Sequence, residues 1–321
     1  MAPGRHLTSA APAARVAWPD GKAFAFTIFD DTDLTTLENG PPVYRHLTDL
    51  GLRVTKSVWP LAPDGPGFVG GTTCADTAYV RWVQALQAEG HEIGFHNATD
   101  ASSPRDRTRE ALDRFRELFG TDPACGANHS GNAEAIYWGP ARLSGARAPL
   151  YDALTRGRHH GQFRGEREGE WFWGDLCRDR VRYWRNFTFP DVNTLDPCPQ
   201  LPYRDPDRPY VDHWFASTEA SNSDKFTELF TPAALDRLEA SGGVCILYTH
   251  LGSGYWWDDA LHPGFVRVLA DLTARNGWFA PVGEVLDHLR AQRPDTDLSR
   301  RQRAHLEWRW LAHKLRTRST T

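Results

Sequence analysis

The sequence predicts an α/β fold in which a parallel sheet closes into a barrel. Three observations predict it. Strand-like and helix-like patterns alternate from residue 23 onward, glycines stop successive helices, and acids or histidines sit just beyond apolar strands, where barrel sites are assembled. The 321 residues allow two domains or one large barrel at about 150 residues per domain.

In order, Ala23 to Phe29 (AFAFTIF) is a short apolar run bounded by Asp-Gly and by Asp-Asp-Thr-Asp, hence a buried strand with a polar C-terminal end. Pro42 to Leu50 has helical spacing and stops at Gly51, and Leu52 to Trp59 is β-branched and strand-like. A helix at Thr77 to Glu89, a strand at His91 to Phe95, a helix at Arg105 to Phe119 and a strand around Ala124 to Asn128 continue the rhythm. From about Arg156 to Pro209 it breaks into Arg-, Trp-, Gly- and Pro-rich sequence, which reads as strands with long structured loops. Regularity returns with Tyr210 to Ala216, the helix Pro232 to Ala240, the strand Val244 to Tyr248, the helix Pro263 to Asn276 and a last unit, Trp278 to Leu289. Residues 1–20 form an N-terminal extension, 21–292 the barrel, and 293–321 a basic amphipathic helix with Arg300, Arg301, Arg303, Arg309, Lys314, Arg316 and Arg318 around Leu306, Trp308, Trp310, Leu311 and Leu315. Two settings suit that helix: packed on the barrel with its basic face in water, or in peripheral contact with an anionic membrane.

Composition excludes several classes. With 37 basic and 41 acidic residues there is no positive field for a nucleic-acid backbone. A mean hydropathy of −0.55 and no 18-residue apolar run argue against a membrane span. The five cysteines are scattered without C-x-x-C, so reduced thiols are expected rather than a disulfide or zinc framework. The start lacks the apolar stretch of a secretory signal, which predicts a cytoplasmic protein.

Chemistry concentrates in FTIFDDTD (26–33), GHEIGFHNATD (90–100) and CILYTH (245–250). A strand alternates its side chains, so Asp30 and Asp31 point in different directions, and one can hold a cation while the other takes a proton. His96 and Asp100 share a face if the chain turns helically after Phe95, and with one of the Asp residues they make a one-His, two-carboxylate set. Zn, Co, Mn or Fe suits such a set, Zn being the first choice. Each segment has a plainer reading, as a helix cap or a core histidine. All three in order at strand ends favour a site.

These segments resemble the polysaccharide deacetylases of the NodB-homology type (carbohydrate esterase family 4). The first motif reads Thr27-Ile28-Phe29-Asp30-Asp31, the second His96-Asn97-Ala98-Thr99-Asp100 and the late one Leu247-Tyr248-Thr249-His250. The resemblance spans about Ala23 to Leu289 and implies an irregular (β/α)7 barrel. It further implies Asp30 as general base, Asp31, His96 and Asp100 as metal ligands, and His250 as general acid. Departures are Thr32 for the usual Gly, Asn97 for Ser/Thr and Asp100 for the commoner His. The arginine that orients the base in the family has no counterpart at the fourth strand, where GANHSGNAEAIYWG (126–139) offers Asn128 and His129 as substrate contacts or, for His129, a further ligand. Tryptophans gather in the irregular regions, and Trp138, Trp214 and Trp256 are candidate faces for stacking a sugar. The expected activity is metal-dependent deacetylation of an N-acetylated amino sugar, glycoconjugate or sugar-like metabolite. The alternatives are hydrolysis of a non-sugar linear or cyclic amide, and a carbohydrate-binding pseudoenzyme.

Overall fold

The computed structural model describes residues 16–293, 295 and 297–317. Residues 1–15 of the expected N-terminal extension and Arg318 of the basic tail lie outside the described residues. Seven parallel strands close into a barrel, the irregular (β/α)7 architecture expected: β1 (Phe24–Asp30), β2 (Thr55–Val58), β3 (Glu92–Phe95), β4 (Cys125–Gly126), β5 (Tyr183–Phe189), β6 (His213–Glu219) and β7 (Val244–Thr249). The seam is β1 against β7, in register from Ala25↔Val244 to Asp30↔Thr249. On its other side β1 is shared, since Phe24 and Ala25 pair with Gly277 and Trp278 while Phe29 and Asp30 pair with Thr55 and Lys56. The helix Arg105–Phe119 has the expected bounds, and the irregular stretch resolves into the helix Gly174–Arg180, β5 and ordered loops. β4 is only two residues long. A Cβ on Gly126 would lie 2.2 Å from the Trp184 ring, so the bare backbone is what lets that indole cover the strand.

Strand parity divides the core. Ala25 and Phe29 of β1 join one apolar cluster with Phe95, Trp184 and Phe215 from other strands, whereas Phe24, Phe26 and Ile28 join another with Leu47 and Phe265 from surrounding helices. The even positions of β1 therefore face the helices and the odd ones the barrel interior. All five cysteines are free and buried. No helix among the described residues is long and apolar enough to cross a membrane.

The terminal helix Arg300–Thr317 packs on the barrel through Leu306, Trp310 and Leu311. Its basic residues are not simply a solvated stripe. Arg303 is buried against Asp205 and Asp207, Lys314 is 2.8 Å from Glu219 Oε2, and Arg309 pairs with Asp191 at 2.6 Å. Buried charges require such partners. Arg300, Arg301 and Arg316 are exposed.

Candidate metal and catalytic site

A cavity of about 340 Å³ opens at the C-terminal ends of the strands. Its lining comes from successive strands or the residues just after them: Asp31 and Asp33, His96, Asn128, Arg185 and Thr188, Glu219, and Tyr248 and His250, with Trp138 from a loop. A larger and more open cleft, about 810 Å³, is lined by Pro190 to Asp196 and the helix Pro232–Ser241; it gathers no histidine and does not reach these residues.

Among the described residues, one group of three can place its ligating atoms within 4.8 Å of one another: Asp33, His96 and His129, all buried. Asp33 Oδ1 is 3.3 Å from His96 Nε2 and 3.7 Å from His129 Nε2. Among the described residues, neither Asp33 Oδ1 nor His129 Nε2 has a hydrogen-bond partner. Burial alone would raise the Asp33 carboxyl, but the adjoining His250 and His96 imidazoles hold it well below the usual carboxylate range. Burial lowers His129 despite the nearby carboxylates, which favours the neutral imidazole a metal needs. Local backbone builds the group: Asn97 takes φ +58°, a left-handed value that Asn tolerates, and its Oδ1 accepts the His129 N–H at 2.6 Å. The turn after β3 thereby ties His96 to His129.

The set implied by the motifs, Asp31, His96 and Asp100, is not the group that converges. Asp31 is gripped by Arg185, whose Nη1 and Nη2 donate to Oδ1 and Oδ2 at 2.7 and 2.5 Å, and Asp31 Oδ2 lies 3.7 Å from His96 Nε2. Asp100 spends its oxygens on the N–H groups of Val69 and Gly70, although its Oδ1 approaches His129 Nε2 to 3.5 Å. Asp30, the expected base, has the even, helix-facing parity. Its Oδ2 accepts from Tyr44 at 2.8 Å and meets Lys56 Nζ at 3.1 Å, its Oδ1 accepts from Leu251 N at 2.7 Å, and it does not line the cavity. Burial raises its pKa against the lowering effect of Lys56. Asp30→Asn is expected to leave the Lys56 ammonium buried without its counter-charge, a cost of about 3–5 kcal/mol, while metal binding survives. Urea unfolding checks the first and metal analysis the second; unchanged stability would refute the structural assignment.

His250 lines the cavity just beyond β7. Its Nδ1 is 2.8 Å from the Ser221 carbonyl, and its Nε2 is 3.2 Å from Asp33 Oδ2 and 3.3 Å from the Tyr248 hydroxyl. Burial would lower its pKa, but the hydrogen bond and charge of Asp33, with Asp31 and the Ser221 carbonyl, push it up to about 9.

Of the other expected contacts, Asn128 and Trp138 line the cavity; Asn128 also pins its own loop through both backbone groups of Ile136. Trp214 is buried against Tyr137, and Trp256 pairs with Leu261 beside the core; neither lines the cavity. Sequence reasoning missed Asp33 and Arg185. An arginine inside the apolar run YWRNFTF was a signal, because a buried guanidinium demands a carboxylate.

Neither a protein-family model nor a curated protein sequence matches the chain. Among solved structures, Puue allantoinase superposes with a TM-score of 0.52 at 15% identity, covering 90% of this chain and 96% of that one. A Mycobacterium smegmatis protein assigned as a polysaccharide deacetylase gives 0.49 at 15% identity, covering 90% and 98% of the two chains. A Pseudomonas aeruginosa PAO1 protein with the same assignment gives 0.49 at 13% identity, covering 87% and 95%. At such identity the likeness to the allantoinase is one of fold: the chain is an α/β barrel of seven parallel strands with surrounding helices.

Proposed function

We propose that the chain is a metal-dependent hydrolase of a non-peptide amide, with Asp33, His96 and His129 as the metal ligands. One observation carries this reading. A buried carboxylate oxygen and a buried imidazole nitrogen, each without a hydrogen-bond partner among the described residues, face each other at 3.7 Å beside His96, an arrangement that a cation satisfies. A divalent ion bound there acidifies water and polarises an amide carbonyl. Two histidines and a carboxylate suit Zn first.

The remaining steps belong to the side chains. Asp31, oriented by the two-pronged grip of Arg185, faces the cavity and takes the proton as water attacks. This moves the base from Asp30 to Asp31 and a ligand role from Asp31 to Asp33. His250 is aimed by the Ser221 carbonyl and delivers a proton from Nε2 to the departing nitrogen. Glu219, Thr188, Asn128 and Trp138 form the wall against which the substrate is oriented.

For the substrate we take a small N-acylated sugar or sugar-like compound. A non-sugar linear or cyclic amide is the second reading, favoured by the scarcity of aromatic faces, since Trp138 is the one tryptophan in the cavity lining. The test is metal content after loading with Zn, Co or Mn, followed by acyl or amine release from N-acetylglucosamine, its oligomers and a panel of linear and cyclic amides. One equivalent of metal and turnover of one class are expected. A chain that takes up no metal and cleaves none of them is not this enzyme.

A further inference from the structure

His129 is held by a chain of hydrogen bonds that the catalytic reading does not use. Its Nδ1 lies 2.9 Å from Asn132 Oδ1. Asn132 Nδ2 is surrounded by acceptors, with Glu134 Oε1 at 2.7 Å, Ala101 O at 3.0 Å and Thr99 O at 3.1 Å. Three acceptors around one end of the amide identify that end as nitrogen, so the oxygen faces His129. An imidazole nitrogen opposite an oxygen must carry the hydrogen, and in the neutral ring that a metal requires this leaves Nε2 with a bare lone pair facing Asp33 and Asp100. Glu134 is itself fixed, since its Oε2 accepts from Ser103 N at 3.0 Å and its carbonyl accepts from Trp173 Nε1 at 2.7 Å. His129, Asn132 and Glu134 are each 0% exposed, so bulk water does not reach any member.

We propose that Glu134, acting through Asn132, is a positioning residue that locks His129 in the Nδ1–H tautomer and so keeps Nε2 available to a metal. The proposal rests on His129 as a ligand and gives the loop after β4 its function. Carboxylate is the required chemistry at residue 134: the Ser103 and Asn132 donors approach different oxygens, and a primary amide can accept from only one of them. Outer partners of this kind change metal affinity by about 10–100-fold.

The experiment uses the full chain. Long-range 1H–15N spectra of the 15N-histidine-labelled, metal-free protein should show His129 protonated at Nδ1. Competition with a chromophoric chelator should show Zn binding weakened by about 10–100-fold in Glu134→Gln and Asn132→Ala, with near-UV circular dichroism unchanged. Finding His129 as the Nε2–H tautomer, or Zn affinity within about twofold of wild type in both folded variants, overturns the proposal. Should the variants fail to fold, the wild-type tautomer decides. A wild type that binds no Zn refutes the metal assignment above, while the tautomer still tests the relay.

Discussion

Asp33→Ala is expected to yield a folded chain that no longer retains stoichiometric metal and has lost amide turnover to background. Asp33 lies three residues beyond β1 with its side chain directed to His96, His129 and His250 rather than into an apolar cluster, so little packing goes with it. Removing a ligand should exceed the about 10–100-fold effect of an outer partner, so an affinity loss beyond about 100-fold is the expectation. Elemental analysis after dialysis and a chelator competition measure it. Wild-type metal content in Asp33→Ala would return the ligand role to Asp31.

Asp31→Asn is expected to separate chemistry from metal binding. The amide fills the same space but accepts from only one of the two Arg185 prongs and cannot take a proton, so kcat should fall by about 10²–10⁴ while metal content stays near wild type. Steady-state kinetics with metal analysis of the same preparation makes the comparison, and Asp30→Asn is its control. If Asp30→Asn loses turnover at unchanged stability while Asp31→Asn keeps it, the base is Asp30, as the motif implied.

The barrel and the regions of the site were legible because they rest on period and punctuation: apolar runs ended by acids, and helices ended by glycine. Which acid does what required parity. Phe24, Phe26, Ile28 and Asp30 form one face of β1, and counting alternate residues from the bulkiest aromatics would have sent Asp30 toward the helices and Asp31 inward. Arg185 was hidden for a different reason. Its partner is 154 residues away in sequence, and nothing local says which carboxylate it meets. His129 stood as a possible further ligand, but Asp33 did not, because ligand convergence depends on how strands β1, β3 and β4 are arranged around the closed barrel. Composition marked the tail as a basic helix that could pack on the barrel, but not that Arg303 and Lys314 would turn inward to Asp205 and Glu219.

The seam between β1 and β7 joins the two strands most distant along the barrel sequence, and the contact between Asp33 and His250 lies directly above it. Bringing such remote segments together carries a large loop-closure cost before any pairing rewards it. An open sheet with the same strands and helices would keep its secondary structure and yet hold Asp33 and His250 apart. The juxtaposition of Asp33 and His250, on which the proposed chemistry depends, is therefore a property of complete circular closure and of no single strand or helix.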